Sequence, residues 1–192
     1  MPIFTLRPIS RETLLPAFDC GDDDLNDFFQ EDAINYASAH LAKTFMVLNQ
    51  HRKMIAYFSL FNDSLRVEEI SFTSANQRKA FLKKRGIPYE KRHLKSFGAI
   101  KIGRLAVDKN LHNKGIGQEI LNYIISIAIE CNKSCACKFL IVDAKKKATT
   151  FYLKNGFDFL GSLDDIHETR LMWLDLNPFL NSYFKPSEKN YP

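Results

Sequence analysis

The sequence predicts a single mixed α/β domain, and three observations predict it. Short apolar and β-branched runs alternate with longer stretches whose apolar residues recur at helical spacing. One such run, Ile102–Val107, passes through a polar turn holding Gly115 and Gly117 into an apolar-periodic helix. The length of 192 residues, with 45% hydrophobic and 26% charged residues, suits one sizeable core and argues against disorder. No repeat or clear linker divides the chain. Residues 1–180 are expected to form the domain, with 64–94 a basic insertion and 181–192 a polar tail.

Phe4–Ile9 alternates weakly and reads as a first strand that ends near Pro8. The turn-rich Phe18–Asp24 leads into a helix, where Asp22, Asp23 or Asp24 caps the free N–H groups. Leu25, Phe28, Phe29, Ala33, Tyr36, Ala37 and Leu41 give that helix a buried face. Thr44–Leu48 and Met54–Phe61 read as strands joined by a turn over Asn49–Arg52. Arg66–Ser71 reads as a further short strand and Gln77–Lys84 as a short helix. The connection over 74–94 is long, which favours a role in substrate binding.

Ile100–Val107 is expected to be a buried strand, and Gly117–Asn132 a helix covering the sheet through Ile120, Leu121, Ile124, Ile125 and Ala128. Lys138–Val142 is another apolar strand. Ala148–Lys154 is a short helix stopped at Asn155-Gly156. Phe157–Leu160 and Leu171–Leu176 close the sheet, and Asn177-Pro178 breaks the second of them.

The opening MPIFTLRPI lacks the basic flank and apolar core of a signal peptide. No run approaches the roughly 18 apolar residues of a membrane span, so a cytoplasmic protein is expected. Cys20, Cys131, Cys135 and Cys137 do not have structural-zinc spacing, so reduced thiols and no metal are expected. Net charge is +5. The basic residues concentrate at Arg78, Lys79, Lys83, Lys84, Arg85, Lys91, Arg92 and Lys95, with Glu90 as the sole acid among them. Such a patch favours an anionic partner.

A strand leading through a glycine loop into a helix N-terminus presents backbone N–H groups to a phosphate. His112-Asn-Lys-Gly-Ile-Gly117 is not a P-loop, because no Gly-Lys-Ser/Thr follows. It also lacks the third glycine of a dinucleotide fingerprint. The loop by itself therefore leaves the cofactor open.

Arg104-Leu-Ala-Val107, the glycine loop, the long helix, Phe139–Val142 and Phe151-Tyr-Leu-Lys-Asn-Gly-Phe157 together resemble the GNAT N-acetyltransferase family. The resemblance runs from Phe4 to Leu176. It implies a central mixed twisted sheet with helices on both faces and a splay between the fourth and fifth strands. It implies acetyl-CoA as the cofactor, bound through Leu105, Ala106 and Val107 and the loop residues His112, Asn113, Lys114, Gly115, Ile116, Gly117 and Gln118. The family's usual loop is Arg/Gln-x-x-Gly-x-Gly/Ala, and His112 stands at the Arg/Gln position. Tyr152 matches the tyrosine that protonates the departing thiolate in many members. Its ordinary protonation at pH 7 suits that duty.

Phe18-Asp-Cys-Gly, Leu25-Asn-Asp-Phe-Phe29, Thr44-Phe-Met-Val47, Arg104-Leu-Ala-Val-Asp108 and Val142-Asp-Ala144 resemble GNAT toxins of bacterial toxin–antitoxin pairs. That resemblance implies acetylation of the free α-amine of aminoacyl-tRNA and a block of translation. It also implies a ribbon-helix-helix antitoxin partner and a homodimer. The basic residues from Arg78 to Lys95 would then hold tRNA phosphates. A protein or small-molecule amine remains an alternative acceptor, and a non-catalytic coenzyme- or antitoxin-binding module a further alternative. No general base stands out among Glu68, Glu69, His93 and Asp143.

Overall fold

The computed structural model describes residues 4–66, 70, 72, 74–87, 95–160 and 168–183. Among the described residues, seven strands form one sheet in the order β1-β2-β3-β4-β5-β7-β6. They are β1 (Thr5–Pro8), β2 (Lys43–Leu48), β3 (Met54–Arg66), β4 (Ser96–Val107), β5 (Phe139–Lys145), β6 (Asp158–Phe159) and β7 (Thr169–Asp175). The helices are α1 (Asp23–Asp27), α2 (Ala33–Ser38), α3 (Ala75–Lys84), α4 (Ile116–Cys131), α5 (Thr149–Lys154) and α6 (Asn177–Tyr183). The chain divides into two compact units, Met1–Asp63 with Ile100–Ile124 and Ser64–Ala99 with Ile125–Pro192. Strands β3 and β4 each contribute residues to both.

In the first unit β1 pairs antiparallel with β2, and β2 with β3. The β2–β3 turn is organised by Asn49, whose Oδ1 accepts from the His51 and Lys53 N–H groups at 3.0 Å each. Arg52 supplies its positive φ of 59°. The core here comprises Ile9, Cys20, Phe28, Phe29, Ala33, Met46, Met54, Tyr57 and Ala106. Inside the strand pair, the fully buried Thr44 and Ser59 hydroxyls satisfy each other at 2.8 Å.

The helix expected over Leu25–Leu41 is not one regular helix. A π-helical turn, Phe28–Asp32, separates α1 from α2. The Ala33 N–H reaches Phe28 O across this turn, and the consecutive rings of Phe28 and Phe29 are both buried in the core. Asp22 is the N-cap and accepts from the Leu25 N–H. At the other end His40 turns left-handed at φ 56°, and Leu41 N–H reaches back to Tyr36 O at 2.9 Å. Leu41 therefore lies past the helix, 59% exposed, and not on its buried face.

In the second unit β5 pairs antiparallel with β7, and β6 with β7. Its core holds Leu65, Ile70, Leu82, Phe97, Ala99, Phe139, Ile141, Leu160 and Trp173, with Phe72 and Phe81 packed against it. Part of the stretch read as an insertion thus supplies core residues. Helix α3 begins two residues earlier than expected, because the Ser74 hydroxyl accepts from the Gln77 N–H at 3.2 Å. Helix α5 stops as expected, with Gly156 at φ 85°. Asn177 does end the strand region, but it also opens α6: the Asp175 carboxylate accepts its N–H at 2.9 Å. The expected strand over Arg66–Ser71 falls mostly outside the described residues.

Gly103 marks the tightest approach in the first unit. A Cβ there would lie 2.1 Å from the Phe61 ring. Gly103→Ala is expected to lower stability by about 1–3 kcal/mol in urea unfolding, and adding Phe61→Leu to recover part of the loss. An unchanged midpoint in the single variant would rule out that packing constraint.

Candidate coenzyme and acceptor site

Strand β4 delivers the chain to its loop through a short 3₁₀ turn, Lys109–Leu111, capped by Asp108, whose carboxylate accepts the Asn110 N–H at 2.9 Å. The Asp108 N–H donates to Ile55 O at 2.9 Å, which fixes the strand end to β3. His112 then folds back, its Nε2 lying 2.9 Å from Val107 O. A carbonyl only accepts, so this nitrogen carries the proton in that bond. Lys114 likewise turns its ammonium onto Asn110 O, at 3.1 Å.

Asn113 and Gly115 adopt φ of 60° and 80°. Left-handed residues in a turn point successive N–H groups to one side. The Gly115 carbonyl accepts from Gln118 and Glu119, at 3.1 and 3.2 Å, so α4 begins its hydrogen bonding there. The first-turn N–H groups of Ile116 and Gly117 precede that ladder and have no intrahelical acceptor. The Gln118 N–H, expected among the cradle donors, is already engaged. A Cβ placed on Gly115 would meet nothing within 4 Å. The loop therefore has both outward donors and open space, which fits a pyrophosphate. Ala106 has its side chain in the core, and Leu105 and Val107 are half-buried, so the strand offers backbone at these positions.

The Phe18–Gly21 segment braces this turn. Asp19 O accepts the Lys109 N–H at 3.0 Å, and Asp19 Oδ2 lies 2.6 Å from Lys109 Nζ. Asp19 Oδ1 also accepts from the Gly21 N–H at 2.8 Å and from Asn26 Nδ2 at 3.1 Å. Asn26 Oδ1 in turn accepts the Cys20 N–H at 3.0 Å. These donors, Lys109 first, hold the Asp19 carboxyl at about 2, below its usual 3.8. Sequence reasoning marked this segment as a signature but missed its partner, Lys109.

In the second unit Tyr152 is buried on α5, with Phe151 and Phe157 rings at 5.0 and 5.2 Å in edge-on contact. Burial raises its phenol above the ordinary value, so it stays protonated at neutral pH. Asp143 is exposed on β5 opposite Leu171.

The basic residues separate into two kinds. Lys79, Lys83, Lys84 and Lys95 are exposed, and Arg78 is half-buried on α3. Arg85 is taken up by packing: its guanidinium carbon lies 3.8 Å from the Phe81 ring centre and 4.3 Å from that of Trp173. Its Nη1 donates to Phe81 O at 3.2 Å. Lys91, Arg92, His93, Glu68 and Glu69 lie outside the described residues. The four cysteines are free, and no metal-binding cluster occurs among the described residues. No described helix is long and apolar enough to cross a membrane.

Residues 85–158 match the acetyltransferase (GNAT) domain model. The chain has the GNAT acetyltransferase fold. A bacterial toxin superposes on this GNAT fold with a TM-score of 0.75, 15% identity and 100% coverage of both chains. AtaT complexed with acetyl-methionyl-tRNAfMet gives 0.68 at 21% identity, covering 88% of this chain and 94% of its own. A Tyr→Phe mutant of the AtaT toxin, bound to the C-terminus of the antitoxin AtaR and acetyl-CoA, gives 0.69 at 17%, covering 95% and 98%. At these identities the likeness concerns the fold. The GNAT loop of this chain keeps both glycine positions and replaces the usual Arg/Gln by a histidine turned back onto β4.

The Asp19–Lys109 brace titrates with the carboxyl. Because its pKa falls on folding, its contribution is complete above about pH 4 and fades as pH drops toward 2. Asp19→Asn should lower the thermal midpoint at pH 7 and lose that difference near pH 2. It should also weaken acetyl-CoA binding several-fold, non-additively with Lys109→Met in a double-mutant cycle by calorimetry. Additive effects would separate the brace from the loop.

Proposed function

We propose that this protein is an acetyl-CoA-dependent N-acetyltransferase whose acceptor is the free α-amine of aminoacyl-tRNA, acting as a translation-blocking toxin. The observation that carries the reading is the open Asn113–Gly117 loop at the head of α4, in a chain that superposes over 88% of its length on AtaT with an acetylated aminoacyl-tRNA. A ribbon-helix-helix antitoxin, a homodimeric assembly and a cytoplasmic location belong to the same reading. Support for the antitoxin is the likeness to AtaT bound to the AtaR C-terminus.

Bound acetyl-CoA supplies the thioester whose acetyl group passes to the amine. The N–H groups of Asn113, Lys114, Gly115, Ile116 and Gly117 hold the pyrophosphate, and the β4 backbone at Leu105 and Val107 aligns the pantetheine arm. Val107 O accepts from His112 Nε2, so the imidazole acts on the loop's shape. Tyr152 keeps its proton at neutral pH and donates it to the departing sulfur, and the proton shed by the amine nitrogen as the amide forms returns through solvent to restore the phenol. The attacking amine is needed unprotonated, and an α-amine with a pKa near 8 is partly so at pH 7.5. Lys79, Lys83, Lys84 and Lys95, with Arg78, position tRNA phosphates, and Arg85 is left to packing.

Two measurements test this. Tyr152→Phe should retain the fold and acetyl-CoA affinity while turnover with a mixed charged-tRNA pool falls roughly 100-fold or more. Unchanged turnover removes the tyrosine from the mechanism, and acetylation of peptides or polyamines in place of charged tRNA replaces the acceptor. Neutralising Lys79, Lys83, Lys84 and Lys95 together should weaken tRNA binding and make its log–log salt slope shallower by roughly 2–3. An unaltered slope in filter-binding titrations would place the docking surface elsewhere.

A further inference from the structure

The mechanism leaves both charged residues of β4, Lys101 and Arg104, unused, and of the two Arg104 has no carboxylate partner among the described residues. Its guanidinium carbon stands 4.7 Å from the centre of the Phe28 ring, in the π-helical turn. Its Nη1 donates to Gly103 O at 2.9 Å. Its Nε is buried with no hydrogen-bond partner. No carboxylate pairs with it among the described residues, whereas Lys101, Lys109, Lys133 and Lys138 all have one. A leucine or methionine would fill the same place against Phe28 without desolvating a charge.

The position excludes the pyrophosphate as its target. His112 closes the glycine loop onto Val107, and Arg104 lies three residues upstream, roughly 10 Å back along the strand. It is therefore a cation held apart from the loop, on the segment that leads toward the acyl end of the pantetheine path. Stacking on Phe28 and the bond to Gly103 O fix the guanidinium plane, which leaves Nη2 as its free end.

An amine acceptor brings its own anion. In a free amino acid that anion is the carboxylate, but in aminoacyl-tRNA the carboxylate is an ester. The nearest negative charges are then the phosphodiesters of the 3′-terminal CCA. We infer that Arg104 is a specificity-determining residue that binds a phosphodiester of the acceptor's 3′ end. This rests on the aminoacyl-tRNA reading. It separates acceptors carried on RNA from amines that lack a phosphate one or two nucleotides away.

The test uses the full-length protein and two small acceptors with the same amino acid, one attached to adenosine and one to the trinucleotide CCA. Wild type should show a lower KM for the trinucleotide. In Arg104→Gln that preference should shrink at least tenfold, with acetyl-CoA affinity measured in parallel by calorimetry and folding by thermal melting. Arg104→Lys keeps the charge without the planar fork or the stacking, and should restore the preference only in part. Equal KM increases for both acceptors, or a loss confined to acetyl-CoA affinity, would overturn the inference and leave the proposed function standing. If wild type acetylates neither acceptor nor charged tRNA, the proposed function fails first. If Arg104→Gln does not fold, Arg104→Lys decides: a wild-type preference overturns phosphate recognition by the guanidinium fork.

Discussion

A helix can receive a polyphosphate only if its first N–H groups are left without protein acceptors and without side chains in front of them. That constraint governs the β4–α4 turn. Two left-handed residues, Asn113 and Gly115, turn the backbone so that donors face outward, and Gly115 keeps the space above them open. The cost is backbone strain at Asn113 and a loop that must be held from its flanks. His112, Lys114 and Lys109 perform that holding, each by reaching back to a carbonyl or carboxylate earlier in the chain.

The same constraint gives the Phe18–Gly21 signature a physical meaning. Its aspartate has both oxygens committed: one organises the entry to α1, and the other reaches Lys109. Phe18 packs its ring on Phe29 and Tyr57. Burial keeps the Cys20 thiol protonated and the Tyr57 phenol neutral, and the phenol donates to Leu25 O. The segment therefore joins the aromatic core to the turn beneath the coenzyme loop. A motif that in sequence looks like a substrate signature is, in the first instance, a support.

Arginines show how one residue type divides between packing and recognition. Arg85 and Arg104 both lie against aromatic rings, and both have a buried Nε without a partner. Arg85 has the acidic residues Asp175 and Asp158 near enough to favour its charge, and its Nη1 bonds to its own helix. No carboxylate among the described residues forms an ion pair with Arg104, and its Nη1 bonds to the carbonyl of the preceding residue.

Most strands and helices were legible because they rest on period and local chemistry. The alternation of Thr44–Leu48, the stripe of Ile120, Leu121, Ile124 and Ala128, and the stop at Asn155-Gly156 all express preferences of neighbouring residues. The glycine loop was legible for the same reason, since the left-handed turn at Gly115 is a local demand. The π-helical turn was not, because the bond from the Ala33 N–H to Phe28 O leaves no mark in the apolar spacing, which puts Phe28 and Phe29 on the buried face of a regular helix as well. Nor were the core role of Leu65 and Leu82, the stacking of Arg85 on Trp173, or the Asp19–Lys109 pair. Local sequence determined the elements and the open loop of this protein. Tertiary structure decided which charges pack, which brace and which stay uncompensated, because only folding brings distant side chains within hydrogen-bonding reach.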